Sequence, residues 1–211
     1  MLTAHRTADQ LDYPRRGSPR GSRLARWLLG LIGWRVEGGL PPCPRFVLIV
    51  APHTSNWDFP IGLLVMFGTD LRASWLGKHT IFRFPVAPLL RWLGGEPIDR
   101  SAAQGTVEAA IERFRTRPQW VLALSPEGTR RLVGRWKTGF HRIAVGAGVP
   151  IVPVAFDYPA RAVRIGPPVD PDPDEVAGVA QLRALFRKSM ARYPERFAEE
   201  PGVSALDRSE D

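Results

Sequence analysis

Phe46-Val47-Leu48-Ile49-Val50-Ala51-Pro52-His53-Thr54-Ser55-Asn56-Trp57-Asp58-Phe59-Pro60 is the stretch on which both fold and chemistry turn. Its first six residues are apolar without a break and rich in branched side chains. A half-exposed strand would alternate; an unbroken run is that of a strand buried on both faces, as in a parallel sheet. Ala73-Ser74-Trp75-Leu76 and Trp120-Val121-Leu122-Ala123-Leu124 read the same way. Ile151-Val152-Pro153-Val154-Ala155-Phe156 is a further strand, and its internal proline predicts an edge position or a bulge.

Helical spacing falls between these runs. Ser101 with Gln104 forms a capping box, Val107, Ala110, Ile111 and Phe114 mark one face, and Pro118 ends the element. Asp172-Pro173-Asp174-Glu175 repeats a start signal, with proline at the first helical position. Val176, Val179, Leu182, Phe186 and Met190 then line a last helix expected to stop before Pro194. Strand and helix in alternation predict a single α/β domain, with a mostly parallel mixed sheet flanked by helices. Chemistry in such sheets gathers where strands end and helices begin, which directs attention past Ala51 and past Leu124.

A chain of 211 residues fits one domain, and 44% apolar with 24% charged residues is the ordinary globular range. The single Cys43 excludes an internal disulfide and any cysteine-based zinc cluster. The net charge of +8 rests almost wholly on arginine. Arg15, Arg16, Arg20, Arg23, Arg26 and Arg35 crowd the start of the chain, which implies attraction to an anionic membrane or to nucleic acid. Residues 1–22 are polar and without periodicity, as a basic disordered arm would be. The apolar run over 24–34 is about half the roughly 20 residues that span a bilayer, and no small-residue cleavage site follows it. Flanking arginines with Trp27 and Trp34 suit an interfacial helix over 23–37; a first helix packed on the core is the alternative. The α/β domain would then run over 38–198, with a flexible tail over 199–211.

Asp58 lies five positions after His53, about 140° on a continuous helix, so the two can meet only if His53 lies on the loop and Asp58 near the next helix start. Pro60 supports a start there. Asp58 could then accept from one imidazole nitrogen and leave the other to take a proton. This is the base half of a triad without its serine, so the nucleophile would be a hydroxyl brought by the substrate. The plain alternative is a helix-capping Asp58 beside a loop histidine. The second segment, Ser125-Pro126-Glu127-Gly128-Thr129-Arg130, also follows a buried strand; its glycine permits a tight turn and its arginine suits a phosphate. The third, Gly94-Gly95-Glu96-Pro97-Ile98-Asp99-Arg100-Ser101, sets Arg100 just before a capped helix, whose amide groups also favour anions. Taken singly, either is equally a surface turn or a decorated helix start.

Together these segments resemble the glycerophospholipid acyltransferase family (1-acyl-sn-glycerol-3-phosphate acyltransferase-like). The family's first block is a histidine and an aspartate with four residues between, matched by His53 and Asp58. Ile98-Asp99-Arg100, Glu127-Gly128-Thr129-Arg130 and the proline-spaced Val149-Pro150-Ile151-Val152-Pro153-Val154 match its later blocks in order. Pro52 replaces the asparagine usual before the histidine, and Pro126 the large apolar residue usual before the glutamate. The resemblance implies that His53 deprotonates an acceptor hydroxyl, which attacks an acyl-CoA or acyl-carrier-protein thioester. Asp58 would orient His53, and Arg100, Glu127, Gly128, Thr129 and Arg130 would hold the phosphate and glycerol of a 1-acyl-glycerol-3-phosphate, the product being phosphatidic acid. Lys78 would add a donor near the acyl carbonyl, a plain surface lysine being the alternative. No metal or other cofactor is implied, and the protein is expected as a peripheral one on the cytoplasmic face of the membrane.

Two rival readings differ in substrate and in class. Another lyso-lipid acceptor, such as a lyso-ornithine lipid, would keep the base and the thioester but relax the phosphate-binding role. A non-enzymatic basic module would bind membrane or nucleic acid, though no helix-turn-helix, zinc-finger or aromatic RNA-binding signature supports nucleic acid.

Overall fold

The computed structural model describes residues 13–98 and 103–198. The long apolar runs form the middle of one sheet. β1 (Arg35–Gly38), β2 (Arg45–Ala51), β3 (Ser74–Lys78), β4 (Gly95–Ile98), β5 (Trp120–Leu124), β6 (Ile151–Asp157) and β7 (Ala162–Ile165) lie in the order β1-β7-β6-β2-β5-β3-β4. Neighbours are parallel except β6 and β7, so the expected α/β domain with a mostly parallel mixed sheet is the fold observed.

The unbroken run in β2 has the cause inferred for it. Phe46 and Leu48 enter one core, with α1 (Pro19–Leu31) and α2 (Asp58–Gly68) above them. Val47, Ile49 and Ala51 enter the other, under α4 (Ala103–Thr116), α5 (Gly139–Ala147) and α6 (Glu175–Arg183). Phe46, Val47 and Ile49 are fully buried, each worth roughly 1.5–3 kcal/mol. Val107, Ala110 and Phe114 of α4 are buried as their spacing predicted. A short α3 (Ala87–Trp92) completes the α-helices among the described residues.

Four expectations are narrowed or corrected. Pro153 sits in a central strand, and the bulge explains it. Ile151 pairs with Val169 and Val154 with Ile165, so two residues of β6 face three of the returning chain. Pro153 accepts there from the Gly166 amide, so its missing N–H points at the bulge, where no ladder bond is lost. Second, the chain is ordered against the domain well before residue 23. Arg16 and Arg72 pair by backbone hydrogen bonds with Asp70 and Pro14, and Ser18 caps α1, which begins at Pro19. Third, α1 has two faces: Ala25 and Leu29 pack inward, whereas Leu24, Trp27 and Leu31 are exposed. Trp34 is not interfacial; it is buried edge-on against Tyr158. Fourth, α6 starts after its cap Asp174, beyond Pro173, and ends at Arg183. Phe186 and Met190 follow it in a series of tight turns, and Val176 is exposed. The capping box at Ser101 lies outside the described residues, as do the arm before Tyr13 and the tail from 199.

Gly38 ends β1 at φ +82°, and a Cβ there would stand 2.0 Å from the Ile165 carbonyl oxygen. Gly39 has open space around it. Gly38→Ala should therefore cost about 2–4 kcal/mol in urea unfolding, and Gly39→Ala less than about 1 kcal/mol. Equal costs would contradict the close approach of β1 to β7.

Candidate active site

β6, β2 and β5 are adjacent, and β2 runs parallel to both, so all three end on one edge of the sheet. The segments that follow them, 52–57, 125–138 and 158 onward, are thus brought side by side by strand order alone. The Ala51–Pro52 bond is cis, and His53 follows it.

Asp58 is the first residue of α2, and its carboxylate closes back on the loop. His53 Nδ1 stands 3.1 Å from Asp58 Oδ2, and the Ser55 amide donates to the same oxygen at 2.9 Å. Tyr158, just past β6, donates its hydroxyl to Oδ1 in a short hydrogen bond. Asp58 is 2% exposed, and its place in the first helical turn is where a negative charge is favoured. A carboxylate only accepts, so Nδ1 carries the imidazole proton and Nε2 presents a lone pair. The His53 side chain is 19% exposed, and among the described residues nothing hydrogen-bonds its Nε2. The loop is set from below as well: Thr54 and Ser55 are buried, and the Ser55 hydroxyl accepts from the Trp57 amide.

Glu127 follows β5 and reaches across to the same loop, its Oε1 accepting from the His53 amide at 2.6 Å. Its Oε2 is buried and has no hydrogen-bond partner among the described residues. Burial pushes the Glu127 carboxyl up to about 7; Asp58 adds to the rise, while the His53 amide and Arg183 oppose it. Gly128 takes φ +65°, closing a turn with the Ser125 carbonyl, and the aliphatic chain of Lys137 lies over it. Arg130 is exposed and donates from Nε to the Ser55 carbonyl at 3.1 Å, so a residue 75 positions away holds the His53 loop. Thr129 makes a local turn, its hydroxyl accepting from the Arg131 amide.

His53, Asp58, Glu127, Gly128, Thr129 and Arg130 are thus assembled in one place. Lys78 ends β3 on the same edge, two strands from β2, without a hydrogen bond to His53 or Asp58. Arg100 lies outside the described residues; β4 stops at Ile98 just before it. Among the described residues no three His, Cys, Asp or Glu side chains converge as metal ligands would. Sequence reasoning missed Tyr158 and Lys137. Tyr158 could have been found by applying the strand-end rule to β6 as well as to β2 and β5. A final contribution comes from past α6: the Tyr193 amide donates to Thr54 Oγ1, Arg196 donates to the Thr54 carbonyl, and the Arg192 guanidinium lies over the Trp57 and Tyr158 rings.

Comparison with known proteins agrees with this geometry. A family model described as Acyltransferase matches residues 40–157. The 1-acyl-sn-glycerol-3-phosphate acyltransferase of Salmonella typhimurium is 27% identical over 175 residues, covering 72% of this chain and 70% of the relative. Its namesake from Escherichia coli is 25% identical over 198 residues, covering 82% and 79%. The crystal structure of the 1-acyl-sn-glycerophosphate (LPA) acyltransferase PlsC from Thermotoga maritima superposes with a TM-score of 0.54 at 20% identity, over 78% of this chain and 77% of that one, a likeness of fold. With more than half its length under one family model, and that stretch carrying the His53–Asp58 pair, this chain belongs to the acyltransferase family.

Proposed function

We propose that this chain transfers a fatty acyl group from an acyl thioester, on CoA or on an acyl-carrier protein, to the free hydroxyl of 1-acyl-glycerol-3-phosphate, forming phosphatidic acid. The observation that carries this reading is the pairing of His53 Nδ1 with a buried Asp58. As the acceptor oxygen attacks the thioester carbonyl carbon, its proton passes to His53 Nε2. The tetrahedral intermediate collapses with cleavage of the C–S bond, and the departing thiolate takes the proton back from the imidazolium. Asp58 holds the tautomer and stabilises that imidazolium. No serine is needed, because the acceptor supplies the hydroxyl.

The phosphate of the acceptor is supported by the cations at the Glu127 turn. Arg130 uses Nε on the Ser55 carbonyl and among the described residues keeps its two terminal nitrogens for a ligand, and Lys137 lies over Gly128. The unpartnered Glu127 Oε2 is suited to a hydroxyl of the glycerol. The names of the Salmonella and Escherichia relatives point to the same acceptor.

A membrane-borne substrate agrees with the surface. Leu24, Trp27 and Leu31 on α1 and Ile81, Phe84, Val86, Leu89 and Trp92 around α3 are exposed. Residues 71–95 contain Arg72, Lys78, Arg83 and Arg91 and no acidic residue. Apolar side chains among uncompensated cations suit an anionic lipid surface. Among the described residues no helix is long and apolar enough to cross a membrane, and peripheral attachment at the cytoplasmic face, where both thioester donors are found, completes the reading.

The test is thiol release from palmitoyl-CoA on liposomes containing lysophosphatidic acid. His53→Ala should lower acceptor-dependent release by about 10²–10⁴-fold, the usual contribution of a general base. Release that persists in the variant would remove His53 from the mechanism; release only with lyso-ornithine lipid would replace the acceptor.

Glu127 predicts a separate signature in stability. The folded chain binds its proton up to about pH 7 and the unfolded chain only to about 4.5. Between those values the folded state holds the extra proton, so stability falls as pH rises through this window, by up to about 3 kcal/mol. Urea unfolding at pH 5 and pH 8 should show that loss in the wild type and a much smaller one in Glu127→Gln. An undiminished loss in the variant would assign the dependence elsewhere.

A further inference from the structure

Tyr158 touches the catalytic pair without any step of acyl transfer having required it. Asp58 Oδ2 accepts from the Ser55 amide and stands 3.1 Å from His53 Nδ1, and Oδ1 is left to the Tyr158 hydroxyl. At 2% exposure the carboxylate has almost no water to turn to, so this phenol supplies the remaining solvation of a buried charge. Its ring is clamped. Trp34 meets it edge-on at 5.0 Å, and the Arg192 guanidinium stands 5.7 Å from the ring centroid. Burial, and then the bond to Asp58, hold the hydroxyl far above its ordinary pKa of 10, so it remains a donor at every pH at which His53 can act.

We propose that Tyr158 is a positioning residue for acyl transfer: by donating to Asp58 Oδ1 it fixes the plane of the carboxylate and draws off part of its charge, and so sets the basicity of His53. The role in turnover rests on the acyl-transfer reading above; the link from Tyr158 to His53 does not. The sign follows from electrostatics. A carboxylate whose charge is shared with a phenol stabilises an imidazolium less, which keeps His53 neutral, and therefore a base, to lower pH. Removing the phenol restores that charge to Asp58 and raises the pKa of His53.

Other groups face the pair and must be held constant. Glu127 and Arg130 approach from the loop after β5, Arg192 and Arg196 from the segment after α6. Glu127 titrates near pH 7 and would itself contribute to a rate profile. The His53 imidazole is therefore followed by NMR, assigned by the signal lost in His53→Ala, alongside the pH dependence of kcat/KM.

Tyr158→Phe is expected to raise the His53 midpoint by about one pH unit. The acid limb of kcat/KM should move with it, and kcat should fall about tenfold to a hundredfold with KM changed by less than about twofold. A purely structural role would lower the amount of folded protein or kcat and leave the midpoint where it was. Replacement of Tyr158 by 3-fluorotyrosine, a stronger donor of nearly the same size, should move the midpoint the opposite way, and decides the matter if Tyr158→Phe fails to fold. An unmoved midpoint in the folded variant, or a shift of the same sign for both substitutions, overturns the proposal. Should the wild type transfer no acyl group to any acceptor, the two NMR midpoints still test the link, so loss of the activity reading and loss of this one remain distinct.

Discussion

A bare carboxylate taken out of water costs several kcal/mol, and Asp58 is almost wholly out of water. Much of the site follows from how that cost is met. Three donors converge on it from three places: a loop imidazole, the Ser55 amide and the Tyr158 hydroxyl, with the start of α2 adding a favourable dipole. The first two are local and need only a tight loop leading into a helix. The third lies 100 residues on and is available only because β6 lies beside β2. The sheet order is thus part of what keeps the charge solvated, and the charge is part of what gives His53 its orientation.

Glu127 makes the contrast within one pocket. It too is buried, but among the described residues one of its oxygens has a single amide and the other has none. Its proton consequently stays on to about pH 7, whereas Asp58 is surrounded by donors that suit a charge. Two acids that meet one histidine loop thus differ in the number of donors around each.

How much of this was legible in the sequence depended on where each cause lay. The runs that became β2, β5 and β6 show their burial directly, because both faces of a central strand must be apolar. Arg35–Gly38, Gly95–Ile98 and Ala162–Ile165 do not: four residues with glycine, proline or charge become strands through the neighbours they pair with, not through their own preference. The last helix failed for a related reason. Leu182 and Phe186 are four apart and both buried, which fits a helix, yet the chain buries Phe186 by turning after Arg183. At the site, His53, Asp58, Glu127 and Arg130 announced themselves by falling after buried strands. The pairing of Tyr158 with Asp58 could not be read in advance, since nothing in the spacing says which strands are neighbours.

The clasp formed after α6 gives the site an order of completion. The matched family region stops at Asp157, yet Arg196 reaches back 142 residues to the Thr54 carbonyl, and Tyr193 holds the Thr54 hydroxyl from the same side. On a ribosome His53, Asp58 and the turn from Glu127 to Arg130 all emerge long before the residues that fasten the His53 loop. The nascent chain therefore carries the whole matched region while its His53 loop is still unfastened, and that loop gains its full set of contacts only once Arg196 has emerged.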